Sequence, residues 1–497
     1  MFPLLALLGL CCLASAAAQG YPQPSNADPP SSFGAPKGRQ RPSDAPSQRT
    51  GPPERAGAVS VPAQSSSLAA PSEFPPAQSS VAPSPSGAVS AQSSVASASS
   101  ILSAPGAASG CPRPDGALPE EVPSSFRFSG TVREYYVASE LVEWDYAPTG
   151  WDNWLGVPLA SSPRAAKYVG QGTKFQKARY IGYTDATFTQ RTDEVPAAGI
   201  NGPILRAEVG DMIQIVFLNL VPGHPTSMHS MGLTYTKTSE GSDYVNTTDG
   251  STPPFAPEEA VTPGTCVLYK WLVAETDAPP PNEPSILRSY HPFVNLQADM
   301  NSGLVGPNII YGRGLMNNTM AAYRELIILY EIFDEQNSWV GKPGASLVQP
   351  HNGNNSFWQS QILNIPSQAM SFFRGRSVQP MIPYFAINGF IFAGGPAFET
   401  CQDDRVIWYA MAYGSASHVF HLHGNNVWSN GVWIASKAIA PGEMFTLYTR
   451  PALRGVWQAI CHVASHLSLG MQANYRVWPR DSCPLPPLAM AEVSPID

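Results

Sequence analysis

From Phe126 onward the chain almost never sustains a helical period, and this narrows its fold more than any other feature. REYYVASELVEW, KARYIGY, DMIQIVFLNLV and CVLYKWLV are short runs rich in β-branched and aromatic residues. Turn clusters such as SEGSD, TPPFAP and TPG separate them. The same texture returns after residue 320 in ELIILYEIF, DRVIWYAMAY, EMFTLYT and NYRVW. Many short strands with Gly/Pro punctuation predict antiparallel sandwiches. The chain is therefore read as all-β, with one sandwich domain at 125–315, a second at 320–483 and a tail at 484–497.

The residues before this region cannot share that core. Residues 19–124 are dominated by Ser, Pro, Ala and Gly and hold few aromatics. Such a segment buries too little apolar surface to offset its ordering entropy, so it is expected to be a disordered linker. Residues 1–18, MFPLLALLGLCCLASAAA, are an apolar run closed by small residues, which reads as a signal peptide and implies a secreted, extracellular protein. No later run reaches the roughly 18 apolar residues of a membrane span. Sequons at Asn246, Asn317 and Asn354 suit a glycoprotein in a secretory compartment. The net charge of −8 is spread along the chain and no Lys/Arg cluster tracks a phosphate backbone, which sets nucleic acid aside. Of seven cysteines, two leave with the signal peptide. The remaining five, Cys111, Cys266, Cys401, Cys461 and Cys483, are an odd number for an exported protein, so one thiol needs its own explanation.

The histidines supply it. Of nine, only His224 and His351 lie outside four short clusters: SMHSMG, SYHPF, SHVFHLHG and CHVASHLSLGM. In the last, Cys461, His466 and Met471 bring a thiolate, an imidazole and a thioether onto one tight loop between strands. His418 adds a second imidazole from an earlier strand. Soft sulfur with two imidazoles is the donor set of a blue, type 1 copper. Zinc is the rival, but it gains little from a thioether and its structural sites prefer more thiolates.

Strand alternation sorts the other histidines. His421 and His423 point to one face while Leu422 points to the other. His418, at odd spacing from both, should face the opposite way, so donor sets of two kinds flank one strand. His462 adjoins Cys461 and likewise points away from it. The Cys461–His462 peptide unit is then a short covalent route for an electron, and these two are the candidate catalytic residues.

At these residues the chain resembles the multicopper oxidases, and most of all their ceruloplasmin and hephaestin branch. YYVASELVEWDYAP, IGYTDATF, GLTYTKTSEG and SGLVGPNIIYGRG are similar to the first domain of such a pair. FDEQNSW, AINGF, DDRVIWYAMAYG, HVFHLHG and GVWQAICHVASHLSLGM resemble the copper-bearing partner domain. The resemblance implies two cupredoxin-like Greek-key β-sandwich domains. It also implies a Cys401–Cys483 disulfide, which leaves Cys461 free for copper. Cys111 lies outside the resemblance, and its pairing with Cys266 stays open.

The family reduces O2 at three coppers held by four His-x-His pairs, and here the correspondence is partial. The pairs read His229-Ser-Met231, His291-Pro-Phe293, His421-Leu-His423 and Ile460-Cys-His462, so five of eight ligands remain. In family terms a type 2 copper takes His229 and His421. One type 3 copper sees Met231, His291 and His462, and the other keeps only His423. The resemblance thus implies a degenerate trinuclear site with one or two coppers besides type 1. Two-domain relatives close such a site between subunits, which implies a homotrimer. Phe385 before AINGF and Ser465 before His466 stand where ceruloplasmin-type proteins hold oxidisable iron. Neither is a ligand for a hard cation, which disfavours ferroxidase activity. Lys237 (through its carbonyl), Glu240, Asn246, Glu258 and Glu259 stand where these domains gather oxygen ligands for Ca2+.

The function expected is a secreted copper oxidoreductase that draws electrons from a small-molecule, phenol-like organic reductant and delivers them to O2 or another acceptor. Two alternatives compete with it. A copper-binding electron-transfer module without O2 reduction is favoured by Met231, Phe293 and Ile460. A structural role like that of coagulation-factor A domains is opposed by the intact set around Cys461.

Overall fold

Strand Met212–Asn219, MIQIVFLN, is buried at every position and is the spine of the first sandwich. It pairs in parallel with Val132–Asp145 and antiparallel with Cys266–Leu272. With Lys174–Tyr183 and Thr234–Tyr235 these form a five-stranded sheet. Ile213, Ile215 and Phe217 alternate toward a second sheet of four, ordered Leu205–Glu208, Gly306–Tyr311, Ser285–His291 and His229–Met231. Between the sheets lie Tyr180, Tyr269, Trp271 and Tyr290, all fully buried. The computed structural model describes residues 110–242, 259–340 and 381–497. Residues 1–18, read as a signal peptide, most of the 19–124 segment, Asn246, Glu258, Asn354 and His351 lie outside the described residues.

The outer face of that five-stranded sheet is covered by residues read above as the end of the linker. Cys111 and Cys266 form a disulfide with Cα atoms 5.4 Å apart. Asp115 accepts from Gln214 Nε2 at 2.7 Å and from Lys270 Nζ at 2.7 Å, and Gln214 in turn accepts from the Gly116 amide. A covalent tie and satisfied polar contacts hold this stretch where its composition alone gave no core.

The second sandwich opposes a six-stranded sheet, ordered Tyr384–Ile387, Arg324–Phe333, Val406–Ala412, Met444–Thr449, Val427–Ser429 and Val432–Ile434, to a five-stranded one. The latter runs Phe398–Cys401, Gln472–Trp478, Gly455–Cys461, His418–Leu422 and Ser436–Ile439. Strand Arg324–Phe333 is apolar on both faces because both are covered. Ile328, Tyr330 and Ile332 enter the core of this sandwich, whereas Ile327, Leu329 and Phe333 pack against the first sandwich. Cys401 and Cys483 are bridged, with Cα atoms 5.9 Å apart. Among the described residues no helix is long and apolar enough to cross a membrane. The protein is thus all-β, with two cupredoxin-like sandwiches in one compact unit.

The sandwiches meet through a largely apolar face, in which Leu287, Ile309 and Tyr311 oppose Ile327, Tyr409 and Met411. Polar groups that enter it are mostly paired. Ser285 bonds the Tyr409 hydroxyl at 2.7 Å, and Ser289 bonds that of Tyr413 at 2.5 Å. Lys177 Nζ meets Glu335 at 2.6 Å with both side chains almost completely buried. This interface fixes what each sandwich presents to the other near the candidate site.

Candidate metal centre

In strand His418–Leu422, alternate residues His418, Phe420 and Leu422 are buried, and His421 between them is not. Phe420 lies opposite Cys461, the last residue of its neighbouring strand, so the thiol arrives beside the His418 ring from the same face. The chain then makes one short helix, Ala464–Ser468, which carries His466 inward. Gly470 turns it back with φ +101°, and a β-carbon there would lie 3.0 Å from the Phe392 ring, so both the conformation and the space disfavour a side chain. Met471 closes the loop: its amide donates to the His466 carbonyl and its carbonyl accepts from the Cys461 amide, each at 3.1 Å.

The four side chains converge. Cys461 Sγ stands 3.7 Å from His418 Nδ1 and 3.5 Å from His466 Nδ1, and His418 Nδ1 faces Met471 Sδ at 3.1 Å. Ligand atoms about 2.0–2.3 Å from a shared ion stand roughly 3.5 Å apart, so the spacing suits one metal. Among the described residues, His418, Cys461 and His466 are the only group of three or more His, Cys, Asp or Glu ligand atoms so gathered. Cys461 is the one free cysteine among them and is buried. Donor chemistry agrees with the geometry: one thiol, two imidazoles and a thioether suit copper better than zinc.

The surroundings hold these groups rigid and dry. His418 Nε2 donates to the Tyr413 carbonyl at 3.4 Å, which leaves Nδ1 for the centre. Its ring stacks on Tyr330 at 5.7 Å, and the Phe385 ring lies 5.0 Å from that of His466. Burial, reinforced by the neighbouring His466, pushes the His418 imidazole down to about 4. Burial lowers His466 as well. It raises the Cys461 thiol, against the amides of Val419 and Val463, which favour the thiolate. Burial thus favours the neutral form of all three groups.

The remaining histidines form two sets. His421 lies 5.5 Å from His423 and 5.2 Å from His462, ring centre to ring centre, on the outer face of the strands that carry His418 and Cys461. His421 Nδ1 donates to the Ala435 carbonyl at 2.8 Å. Burial lowers His423, with His421 and His462 adding to the effect. The second set is on the first sandwich, where His229 and His291 stand opposite in register with rings 5.5 Å apart. Burial brings His291 down to about 4 and also lowers His229. Among the described residues no hydrogen bond or ring contact joins the two sets, so this chain alone does not gather all five histidines.

Of the residues expected to gather Ca2+, the Glu240 carboxylate is paired with the Lys237 ammonium. Glu259 is half-buried, and Glu258 lies outside the described residues. Tyr413, which touches both sandwiches, was not singled out from the sequence. Its importance comes from tertiary packing, and the run YAMAYG carries no local sign of it.

Comparison with known proteins agrees with this site. The family profile described as multicopper oxidase matches residues 361–481. Hephaestin of Mus musculus is 30% identical over 372 residues, covering 72% of this chain and 30% of that protein. Ferroxidase HEPHL1 of Homo sapiens is 30% identical over 366 residues, covering 71% and 30%. Coagulation factor V of Homo sapiens is 29% identical over 374 residues, covering 72% and 15%. The chain belongs to the multicopper oxidase family and is similar to its ceruloplasmin and hephaestin branch. It spans less than a third of the length of these relatives.

Proposed function

We propose that this chain is a secreted copper-dependent oxidoreductase that accepts electrons from a small organic reductant, such as a phenol, and delivers them to O2 with fewer coppers than the family's full complement. The observation that carries this reading is the convergence of His418, Cys461, His466 and Met471 in one buried pocket. Copper bound there supplies a one-electron couple whose potential the thioether helps set. The protein's part is to keep the donors fixed and water out. Tyr330 and Phe385 pack on the two imidazoles, and the Tyr413 carbonyl orients His418. Cys461 and His462, consecutive in the chain, point to opposite faces and so link the pocket covalently to His421 and His423. His229, His291, His421, His423 and His462 are the candidate ligands for further copper.

Iron oxidation is the second reading, and the relatives support it, one of them being named a ferroxidase. Against it, the outer edge of His466 meets the Phe385 ring, which offers no oxygen to a hard cation. Assays of O2 uptake with a phenol and with Fe(II), on protein whose copper has been counted, separate the readings. Two or more coppers per chain and faster uptake with the phenol are expected. Faster uptake with Fe(II) selects the second reading, and one copper with no turnover rejects both. A homotrimer is the assembly that the resemblance to two-domain relatives implies, and the separation of the two histidine sets is compatible with it; sedimentation of the copper-loaded protein as a monomer contradicts it.

A further inference from the structure

Tyr413 touches the pocket around Cys461 with its backbone and the first sandwich with its side chain. Its carbonyl accepts from His418 Nε2 at 3.4 Å. Its hydroxyl reaches across the interface to strand Ser285–His291, where it lies 2.5 Å from Ser289 Oγ. The same hydroxyl donates to Met231 Sδ at 3.7 Å, so Ser289 is the donor of the shorter bond. Ser289 and Met231 are register partners on adjacent strands, and their side chains hold the hydroxyl from one face. The Tyr413 ring also meets that of His291 edge-on at 5.5 Å. Burial raises the Tyr413 phenol, against the Ser289 hydroxyl, so the proton it donates stays in place.

The backbone carries this hold to His418. The Tyr413 amide donates to the Tyr330 carbonyl at 2.9 Å, within the second sandwich. With the amide fixed by one sandwich and the ring by the other, the Tyr413 Cα is held from both sides. Gly414 follows with φ +89°, and a β-carbon there would lie 3.1 Å from both Glu331 Oε1 and the Ile332 amide nitrogen. The peptide that bears the Tyr413 carbonyl is therefore confined as well. Residues 414–417 are exposed or half-buried, so the stretch between Tyr413 and His418 contains no buried residue. A carbonyl on one ring nitrogen sets the tautomer and makes the other nitrogen a stronger base. That other nitrogen is His418 Nδ1, 3.7 Å from Cys461 Sγ. A more basic imidazole favours Cu(II) over Cu(I), so the hydrogen bond lowers the potential of a copper bound there.

We propose that Tyr413 is a positioning residue through which the first sandwich orients His418 and thereby sets the potential of the type 1 copper. This role rests on the reading that copper occupies the pocket around Cys461. It gives the first sandwich a part in electron transfer that needs no metal of its own.

Tyr413→Phe keeps the ring and removes the hydroxyl, and Ser289→Ala removes its partner from the opposite sandwich. Ser285→Ala is the control: it removes the same kind of contact, to the Tyr409 hydroxyl at 2.7 Å, from the same strand without reaching His418. In the copper-loaded full chain, the Cu(II) to Cu(I) ratio is read from the blue absorption at a fixed ambient potential. Tyr413→Phe and Ser289→Ala are each expected to lower it about threefold, with no further loss in the double variant, because both remove one contact. In the metal-free chain with isotope-labelled histidine rings, NMR follows exchange of the His418 Nε2 proton, assigned by its loss in His418→Asn. It is expected to quicken about fivefold in the same two variants, the worth of one neutral hydrogen bond. Ser285→Ala is expected to change neither readout. Circular dichroism and the thermal midpoint establish that each variant is folded. Either readout unchanged in both variants, or an equal effect of Ser285→Ala, overturns the proposal. A parent chain that forms no blue centre sinks the proposed function instead, and the metal-free exchange then decides whether Tyr413 positions His418.

Discussion

Loading the pocket around Cys461 should release a single proton per copper, and the structure says why. Burial holds the His418 imidazole near 4 and also lowers His466, so neither carries a proton at neutral pH. The same burial raises the Cys461 thiol, so it is protonated before a cation arrives and a thiolate afterwards. Metal then competes with one proton, and its apparent affinity should rise about tenfold for each pH unit, or about 1.4 kcal/mol. Between pH 7 and 8.5 this amounts to about thirtyfold. At lower pH, protonation of His466 and, near 4, of His418 adds further protons and the slope steepens. The assay is the thiolate-to-Cu(II) absorption, followed against a chelator of known proton affinity from pH 7 to 8.5. A flat profile refutes the reasoning, because it requires a thiolate already formed in the metal-free protein. A slope of two across the whole range refutes it too, because an imidazole would then have to be protonated near neutrality.

Three further outcomes follow from other parts of the molecule. Lys177→Met leaves Glu335 charged and buried without its partner, at a cost of about 3–5 kcal/mol in urea unfolding; adding Glu335→Leu should recover most of that. Glu331 is buried with neither carboxylate oxygen hydrogen-bonded, and burial raises its carboxyl well above the ordinary value, opposed by Lys177. Its contribution to stability is thus fully present below the unfolded value and lost as pH rises through the folded one, so Glu331→Gln should lessen the decline of the thermal midpoint from pH 5 to 9. Phe385→Glu places an oxygen donor beside His466 and should raise Fe(II) oxidation relative to phenol oxidation by about tenfold in kcat/KM, the order expected for one group beside a metal site. An unchanged ratio with copper content intact contradicts the role given to Phe385.

What could be read from the sequence was what local geometry determines. Cys461, His466 and Met471 lie within one loop, and the parity of His418 against His421 decides which face each occupies. Chain order alone therefore sorts the donors into a buried pocket and an outer set. The Cys401–Cys483 bridge was carried by family resemblance, not by spacing. Three features depend on contacts between distant segments and left no local sign. Residues 110–124 looked like the end of a linker because their composition is poor in apolar residues, yet the Cys111–Cys266 bond and the Asp115 contacts lay them on a sheet. Tyr413 ends a strand like any other buried tyrosine until the first sandwich is placed against it. The pairing of Lys237 with Glu240 likewise left no local sign in the sequence.

The most direct measurement is anomalous diffraction at the copper absorption edge from crystals of the copper-loaded protein. A peak enclosed by His418, Cys461, His466 and Met471, with the thiol unbridged, is the result this account requires. Density confined to the outer histidines, with those four side chains holding no metal, contradicts it.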